Sequence, residues 1–226
     1  MKITFYGHAC FGLSFNGVNI LTDPFIRPNE LAKNIDIEQI NPDYILISHG
    51  HEDHVADALY IAQKNNSVIV SNFEIVNWFG QQGHENGHPM NHGGKKVFDN
   101  FSVKYVNAIH SSVLPDGTYG GNPGGFVIEA AGKIVYFAGD TALTYDMKLI
   151  AEEFELSAAI LPIGDNFTMG YEDAAKAADF LSCDKIIGMH FDTFPYIEID
   201  KNKAVEHFSG LNKNLELLKI GTSIEI

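Results

Sequence analysis

Three imidazoles and a carboxylate fall within six positions of this chain, at His49-Gly50-His51-Glu52-Asp53-His54, an H-x-H-x-D-H cluster. Imidazole nitrogen and carboxylate oxygen are donors that zinc and neighbouring divalent ions accept. That is a large metal-binding capacity for about one turn of backbone, and it predicts a metal site. Three later residues stand where further ligands would be expected. His110 ends the strand-like run 102–109, Asp140 follows Val135-Tyr136-Phe137-Ala138-Gly139, and His190 ends Lys185-Ile186-Ile187-Gly188-Met189. Each follows an apolar run, which puts a polar group at the rim of a sheet, where open α/β folds place their sites. Taken singly, each would read as an ordinary polar residue at a strand end.

Periodicity outlines the elements that must position these groups. The first 25 residues read as three short strands, the last two joined at Asn16-Gly17, a strong two-residue hairpin signal. Tyr44-Ile45-Leu46-Ile47-Ser48 is a continuous apolar strand ending at the His cluster, and Asp53 to about Asn65 reads as one helix, with Val55, Ala58, Leu59 and Ala62 on a face. A strand at 67–70 and a helix at 73–82 follow. Residues 83–94 form a Gly- and His-rich stretch in which His84, His88 and His92 recur every fourth position. Its glycines and Pro89 argue against a helix that would align them, so a loop near the pocket or on the surface is expected. Strands at 102–109, 125–130 and 133–138 enclose a long Gly/Pro/Ser-rich loop at 111–124, and the last third alternates helix and strand. Strand meanders followed by strand–helix alternation, in both halves, predict an α/β (α+β) fold. Two mixed β-sheets would lie face to face with helices on both outer faces, a four-layer αββα sandwich in one domain over 1–226.

Composition bounds the function. Against 29 acidic residues stand 15 Lys and Arg, scattered except for Lys95-Lys96, for a net charge of −14. Holding a nucleic acid needs clustered cations, so nucleic-acid binding is not expected. No run approaches the roughly 18 apolar residues of a membrane span. The N-terminus passes directly into strand-like residues without the features of a signal peptide. Cys10 and Cys183 lie far apart, as suits a reducing compartment. A cytoplasmic protein acting on a small molecule is expected, with a homo-oligomer left open.

The order H-x-H-x-D-H, a lone His, Gly139-Asp140-Thr141 and a final His resembles the metallo-β-lactamase-fold superfamily of metal-dependent hydrolases. Gly7-His8-Ala9-Cys10-Phe11, Thr22-Asp23-Pro24, Ser48-His49-Gly50-His51, Gly121-Asn122-Pro123-Gly124-Gly125 and Gly164-Asp165-Asn166-Phe167-Thr168-Met169-Gly170 narrow the likeness to a small, UPF0173-like branch. That branch is related to the lactonase that opens L-ascorbate 6-phosphate, and the resemblance covers essentially the whole chain. It implies two adjacent divalent metal ions. His49, His51 and His110 would hold the first; Asp53, His54 and His190 the second; Asp140 would bridge both. The residues agree with this, since His49 and His51 alternate along extended backbone while Asp53 and His54 enter a helix and face another point. Asp23 would orient ligands. His8 is either a pocket residue or a hydrogen-bonded structural histidine. Asp165 and Thr168 form a loop that either caps the next helix or walls the pocket, and Asn122 offers an oxyanion-binding alternative.

Two such ions lower the pKa of a shared water toward ~7, and the hydroxide attacks a carbonyl or phosphoryl carbon or phosphorus centre. Asp53 and Asp140 are the catalytic carboxylates on this reading. Zinc is the first expected ion and manganese the second, with Fe, Co and Ni compatible. The expected function is therefore hydrolysis of an ester, lactone or phosphoester. A phosphodiesterase or nuclease of the same fold and a non-catalytic metal sensor are the alternatives. An iron-bearing redox protein would need a flavin domain for which 226 residues leave no space.

Overall fold

The computed structural model describes residues 1–226. β1 (Lys2–Gly7), β2 (Cys10–Phe15) and β3 (Val18–Thr22) form an antiparallel meander. Its second turn is Asn16-Gly17, both in the left-handed region, as the sequence predicts. β4 (Tyr44–Leu46), β5 (Val68–Asn72) and β6 (Gly87–Met90) then add to β3 in parallel. A second sheet repeats the scheme. β7 (Lys95–Val97), β8 (Phe101–Asn107), β9 (Gly124–Ala130) and β10 (Lys133–Phe137) are antiparallel, and β11 (Ala158–Pro162), β12 (Lys185–Met189) and β13 (Asn214–Glu216) continue in parallel. The chain then returns to the first sheet, where β14 (Ser223–Glu225) pairs antiparallel with β1. Each seven-stranded sheet thus carries three antiparallel pairings followed by three parallel ones.

Side-chain alternation along the strands sorts the two faces of the first sheet. Leu46 and Val70 point inward and share one core with Leu13 and with Val103, Phe126 and Val135 of the second sheet. Ile45 and Ile69 point outward, against Ala58 and Ile61 of α2 (Ala58–Asn65) and Ile75 and Phe79 of α3 (Phe73–Gln81). Ahead of these lies the single turn α1 (Glu52–Val55). α4 (Asp146–Glu153), α5 (Tyr171–Phe180) and α6 (Lys201–Gly210) cover the second sheet, α5 through alanines that let it approach β11 closely. The layered architecture expected from the sequence is present. Burying each large aliphatic or aromatic side chain contributes roughly 1.5–3 kcal/mol, so the sheets form a rigid base for the groups at their rims.

The continuous helix expected from Asp53 to Asn65 is divided at Ala56-Asp57. Asp57 is buried; its carboxylate accepts from the backbone N–H groups of Ile26 (2.7 Å) and Arg27 (2.9 Å) and pairs with Arg27 Nε at 2.5 Å. Its own N–H donates to Pro24 O at 3.0 Å instead of to a helical carbonyl. The anchoring of the 24–27 loop therefore outweighs helix continuity. The stretch 83–94 is not all loop: Gly87–Met90 is the edge strand β6, and a Cβ at Gly87 would meet Val76 Cγ1 at 2.5 Å. β7 escaped notice because three residues, two of them lysine, carry no periodicity.

Candidate metal centre

The chemistry-bearing residues all sit where strands end. Asp23 follows β3, the His49–His54 segment follows β4, Asp140 follows β10 and His190 follows β12. These are the C-terminal ends of parallel strands in both sheets. His8 leaves β1 and His110 lies beyond β8, so six strand ends converge. The turn that follows each strand must be abrupt, and several of these residues are left-handed: His8 (φ 56°), Asp23 (35°), His190 (55°) and Gly139 (61°). Such backbone costs of order 1–3 kcal/mol for a non-glycine residue and clusters at functional sites. Gly139 has a second constraint, since a Cβ there would stand 2.6 Å from Ser48 Cβ.

Asp140 Oδ2 is the common point of the donors. It lies 2.9 Å from His190 Nε2, 3.3 Å from His54 Nε2, 3.6 Å from His110 Nε2 and 3.9 Å from His49 Nε2. Around it the donors fall into two groups, beside a third, fully buried cluster of Asp23, His49 and His54. His49, His51 and His110 form one; His8, Asp53, His54 and His190 form the other, with all donor atoms in each group within 4.8 Å of one another. Ligands of a tetrahedral ion with bonds of about 2.0–2.1 Å stand roughly 3.3 Å apart. The distances from Asp140 Oδ2, 2.9–3.9 Å, bracket that spacing.

One buried carboxylate orients two of the imidazoles. Asp23 Oδ2 accepts from His54 Nδ1–H at 2.8 Å and from Ser48 Oγ–H at 2.5 Å, while its Oδ1 accepts from Ser48 N–H at 2.8 Å. With its single hydrogen committed to Asp23, Ser48 Oγ can only accept from His49 Nδ1–H, 2.9 Å away. In both imidazoles Nδ1 is thus occupied and Nε2 is the nitrogen turned to the site. His8 donates from Nε2 to Asp53 Oδ2 at 3.0 Å and accepts at Nδ1 from Thr193 Oγ1 at 2.9 Å. Burial, reinforced by His190, lowers His8 to about 4, so it is neutral, and that donation uses its Nε2 hydrogen. His190 N–H donates to His8 O at 2.9 Å, which ties the two sheets together at the site.

Charge in the box is divided. Burial, with His54 nearby, depresses His49 well below the usual imidazole range, and burial likewise lowers His51 and His110. Burial also disfavours a proton on His54 and His190, yet Asp140 and Asp53 outweigh it, holding His54 well above its ordinary value and His190 at about 9. Burial would raise Asp140, but His190 and His54 keep it well below the carboxylate range. His54 Nε2 and Asp140 Oδ1 are buried without a hydrogen-bond partner. An unmet buried polar atom costs about 1–3 kcal/mol, and a divalent cation would satisfy both. The donor set fits the ion.

A match to the beta-lactamase superfamily domain model spans residues 2–190. A UPF0173 metal-dependent hydrolase of Flavobacterium johnsoniae is 58% identical over 226 residues, covering 100% of both chains. That of Christiangramia forsetii is 56% identical, again over 100% of both. This chain belongs to the UPF0173 metal-dependent hydrolases. Among solved structures, the metallo hydrolase Igni18 of the archaeon Ignicoccus hospitalis superposes with a TM-score of 0.89 at 33% identity, covering 100% of this chain and 98% of that one. The UPF0173 chain is therefore a metal-dependent hydrolase of metallo-β-lactamase fold, as its sequence implies.

A cavity of about 290 Å³ opens over the donors, and its remaining wall is Ser111, Phe167 and Phe194. All seven residues expected as ligands meet at this place, and Asp23 and His8 stand directly behind them. The other three expected pocket residues lie off the cavity wall. Asn122 Oδ1 accepts from Tyr119 OH, and its carbonyl accepts from Tyr105 OH and Asn72 Nδ2. Asp165 is exposed on a neighbouring cleft, and Thr168 donates to Met169 O at 3.3 Å. Their loop reaches the cavity through Phe167 instead. The histidines of the Gly/His stretch do not gather: His84 Nε2 donates to Ser67 O, His88 packs edge-on against Phe98, and His92 stacks on Tyr105 and donates to Pro123 O. Ser48 and Thr193 carry orienting hydrogen bonds that composition alone does not signal; the position of Ser48 beside His49 is the only clue.

Proposed function

We propose that this UPF0173 chain is a dinuclear hydrolase that cleaves an ester, lactone or phosphoester bond of a small cytoplasmic substrate. The observation that carries this reading is the position of Asp140 Oδ2 within 2.9–3.9 Å of four imidazole nitrogens drawn from both donor groups. A carboxylate so placed can serve two cations. His49, His51 and His110 would hold one ion, Asp53, His54 and His190 the other, and Asp140 both. Zinc is the first ion to test and manganese the second. When bound, the pair would supply a water acidic enough to ionise near neutral pH and a Lewis acid for the oxygen that gains charge.

The chain's own residues prepare that chemistry. Asp23 and Ser48 fix the tautomers of His54 and His49. His8 Nε2–H fixes Asp53 Oδ2 and so orients that carboxylate as a ligand. Phe167 and Phe194 reduce the water around the substrate. Cys10 and Cys183 are buried in the two cores and supply no nucleophile.

The test is turnover of a lactone, an aryl ester, a phosphodiester and a thioester by cation-loaded protein, beside metal analysis and an Asp53→Ala control. Turnover of one class, lost in the variant and in chelator, is expected. Full rate in Asp53→Ala, or silence across the panel with both ions bound, refutes the proposal.

A further inference from the structure

The cavity wall has an unusual charge balance. Every ionisable side chain on it is one of the metal donors, and no lysine or arginine lines it. Of the nearby cations, Arg27 pairs with buried Asp57 at 2.5 Å and Lys201 with Asp192 at 2.6 Å, while Lys219 lies on the adjoining cleft beside His8 and off this wall. A phosphate or carboxylate on a part of the substrate distant from the reacting bond would find no cationic partner on the wall itself, in a protein of net charge −14. What the wall offers instead is aromatic. Phe167 and Phe194 line the cavity, and Tyr196 stands edge-on to Phe167 with ring centroids 6.1 Å apart.

Phe167 is 51% exposed and Tyr196 75% exposed, so neither ring is there to fill the core. Phe167 is nonetheless held firmly. It follows Asp165 and Asn166, two consecutive left-handed residues (φ 61° and 55°), a conformation that Asp and Asn tolerate better than most. Asp165 N–H donates to Met169 O at 3.0 Å, and Met169 N–H donates to Thr141 O at 3.1 Å. Thr141 is the residue after Asp140. The turn that presents Phe167 is therefore tied to the strand end that presents the central carboxylate.

We infer that Phe167 and Phe194 select substrates whose group away from the scissile bond is uncharged and aromatic or flat and apolar. This rests on the hydrolase reading and narrows its substrate class, excluding metabolites marked by a remote phosphate or carboxylate. Phe167 is the specificity-determining residue.

Two hydroxamates with the same cation-binding head test it: phenylacetohydroxamate, and malonic acid monohydroxamate with a carboxylate tail. Each is titrated calorimetrically into cation-loaded protein and into Phe167→Ala. The phenyl compound should bind at least ~10-fold tighter, and the variant should lose roughly 3- to 10-fold of that affinity, the range of one aromatic contact. The carboxylate compound should be indifferent to the variant, and metal content should not change. Equal or tighter binding of the carboxylate compound, no effect of Phe167→Ala on the phenyl compound, or no binding of either overturns the inference. Ester turnover is measured separately on the same samples. A phenyl preference without turnover of any member of the lactone, ester, phosphodiester and thioester panel would defeat the proposed reaction and leave the pocket assignment standing; turnover without tail preference would do the reverse.

Discussion

Replacing Asp23 by Asn should loosen both cations at once, although Asp23 lies outside both donor groups gathered around Asp140. The substitution keeps the shape and one carbonyl oxygen, which can still accept from Ser48 N–H in place of Oδ1. It puts an amide N–H₂ where Oδ2 accepts from His54 Nδ1–H and Ser48 Oγ–H. Two donors then face a donor, so His54 loses its orienting partner and Ser48 Oγ–H is released to turn toward His49 Nδ1. Each imidazole is freed to adopt the tautomer that hides its Nε2 lone pair. Loss of such an orienting group costs about 10–100-fold in metal affinity, or roughly 1.4–2.7 kcal/mol per ion. Folding stability should change less, because burial already pushes the Asp23 carboxyl up and a neutral amide escapes that penalty. Ser48→Ala separates the two arms: it removes the link to His49 and one of the donors to Asp23 but leaves the Asp23–His54 bond, so the ion on His49 should weaken more than the other. The assay is competition for zinc against a chromogenic chelator, with both stoichiometric steps resolved. Unchanged affinity of both ions in Asp23→Asn would show the relay to be without effect. Loss of both ions in Ser48→Ala would show that it does not divide as described.

Asp140→Ala should abolish most turnover and leave fewer than two ions per chain by elemental analysis; full metal and full rate would exclude a shared carboxylate. His84→Ala should leave turnover nearly unchanged while lowering stability by about 1–3 kcal/mol in denaturant titration, because it orphans the buried Ser67 carbonyl. Gly139→Ala should impair folding or metal retention, since its Cβ would combine a left-handed residue with a 2.6 Å approach to Ser48. Cation uptake near pH 7.5 should release protons: burial lowers His190, but Asp140 and Asp53 hold it at about 9, so it is protonated before the ion displaces the proton. Calorimetry in buffers of different ionisation enthalpy reads that release, and none would contradict the charge pattern of the box.

Much of this centre was legible because metal ligation demands particular residue types in a fixed chain order. The His49–His54 cluster, His110, Asp140 and His190 each follow an apolar run, and strand ends can be located from hydropathy. Asp23 was found through the resemblance of Thr22-Asp23-Pro24. Residues that act by hydrogen-bonding a ligand were harder, because Ser48 and Thr193 look like any polar loop residue until the chain has folded. The loop 164–170 reads as either capping the next helix or walling the pocket, and Asp165 and Thr168 draw attention over Phe167. Polar side chains suggest chemistry by their type, whereas an aromatic wall declares itself only through its exposure. The helix expected over 53–65 failed at Asp57 for a related reason: its binding of the 24–27 backbone is a long-range contact invisible to local periodicity.

The two sheets divide the donors between them. His8, His49, His51, Asp53 and His54 come from the first, and His110, Asp140 and His190 from the second. Neither sheet holds all the donors of either proposed ion, so bound cations would act as a clasp between the two halves of the chain. Prying the sheets apart would first require letting go of the ions. The two sheets also share one core of 41 buried residues, so chelation should lower the stability of the whole fold, and a bound metal would brace the molecule as well as serve its substrate.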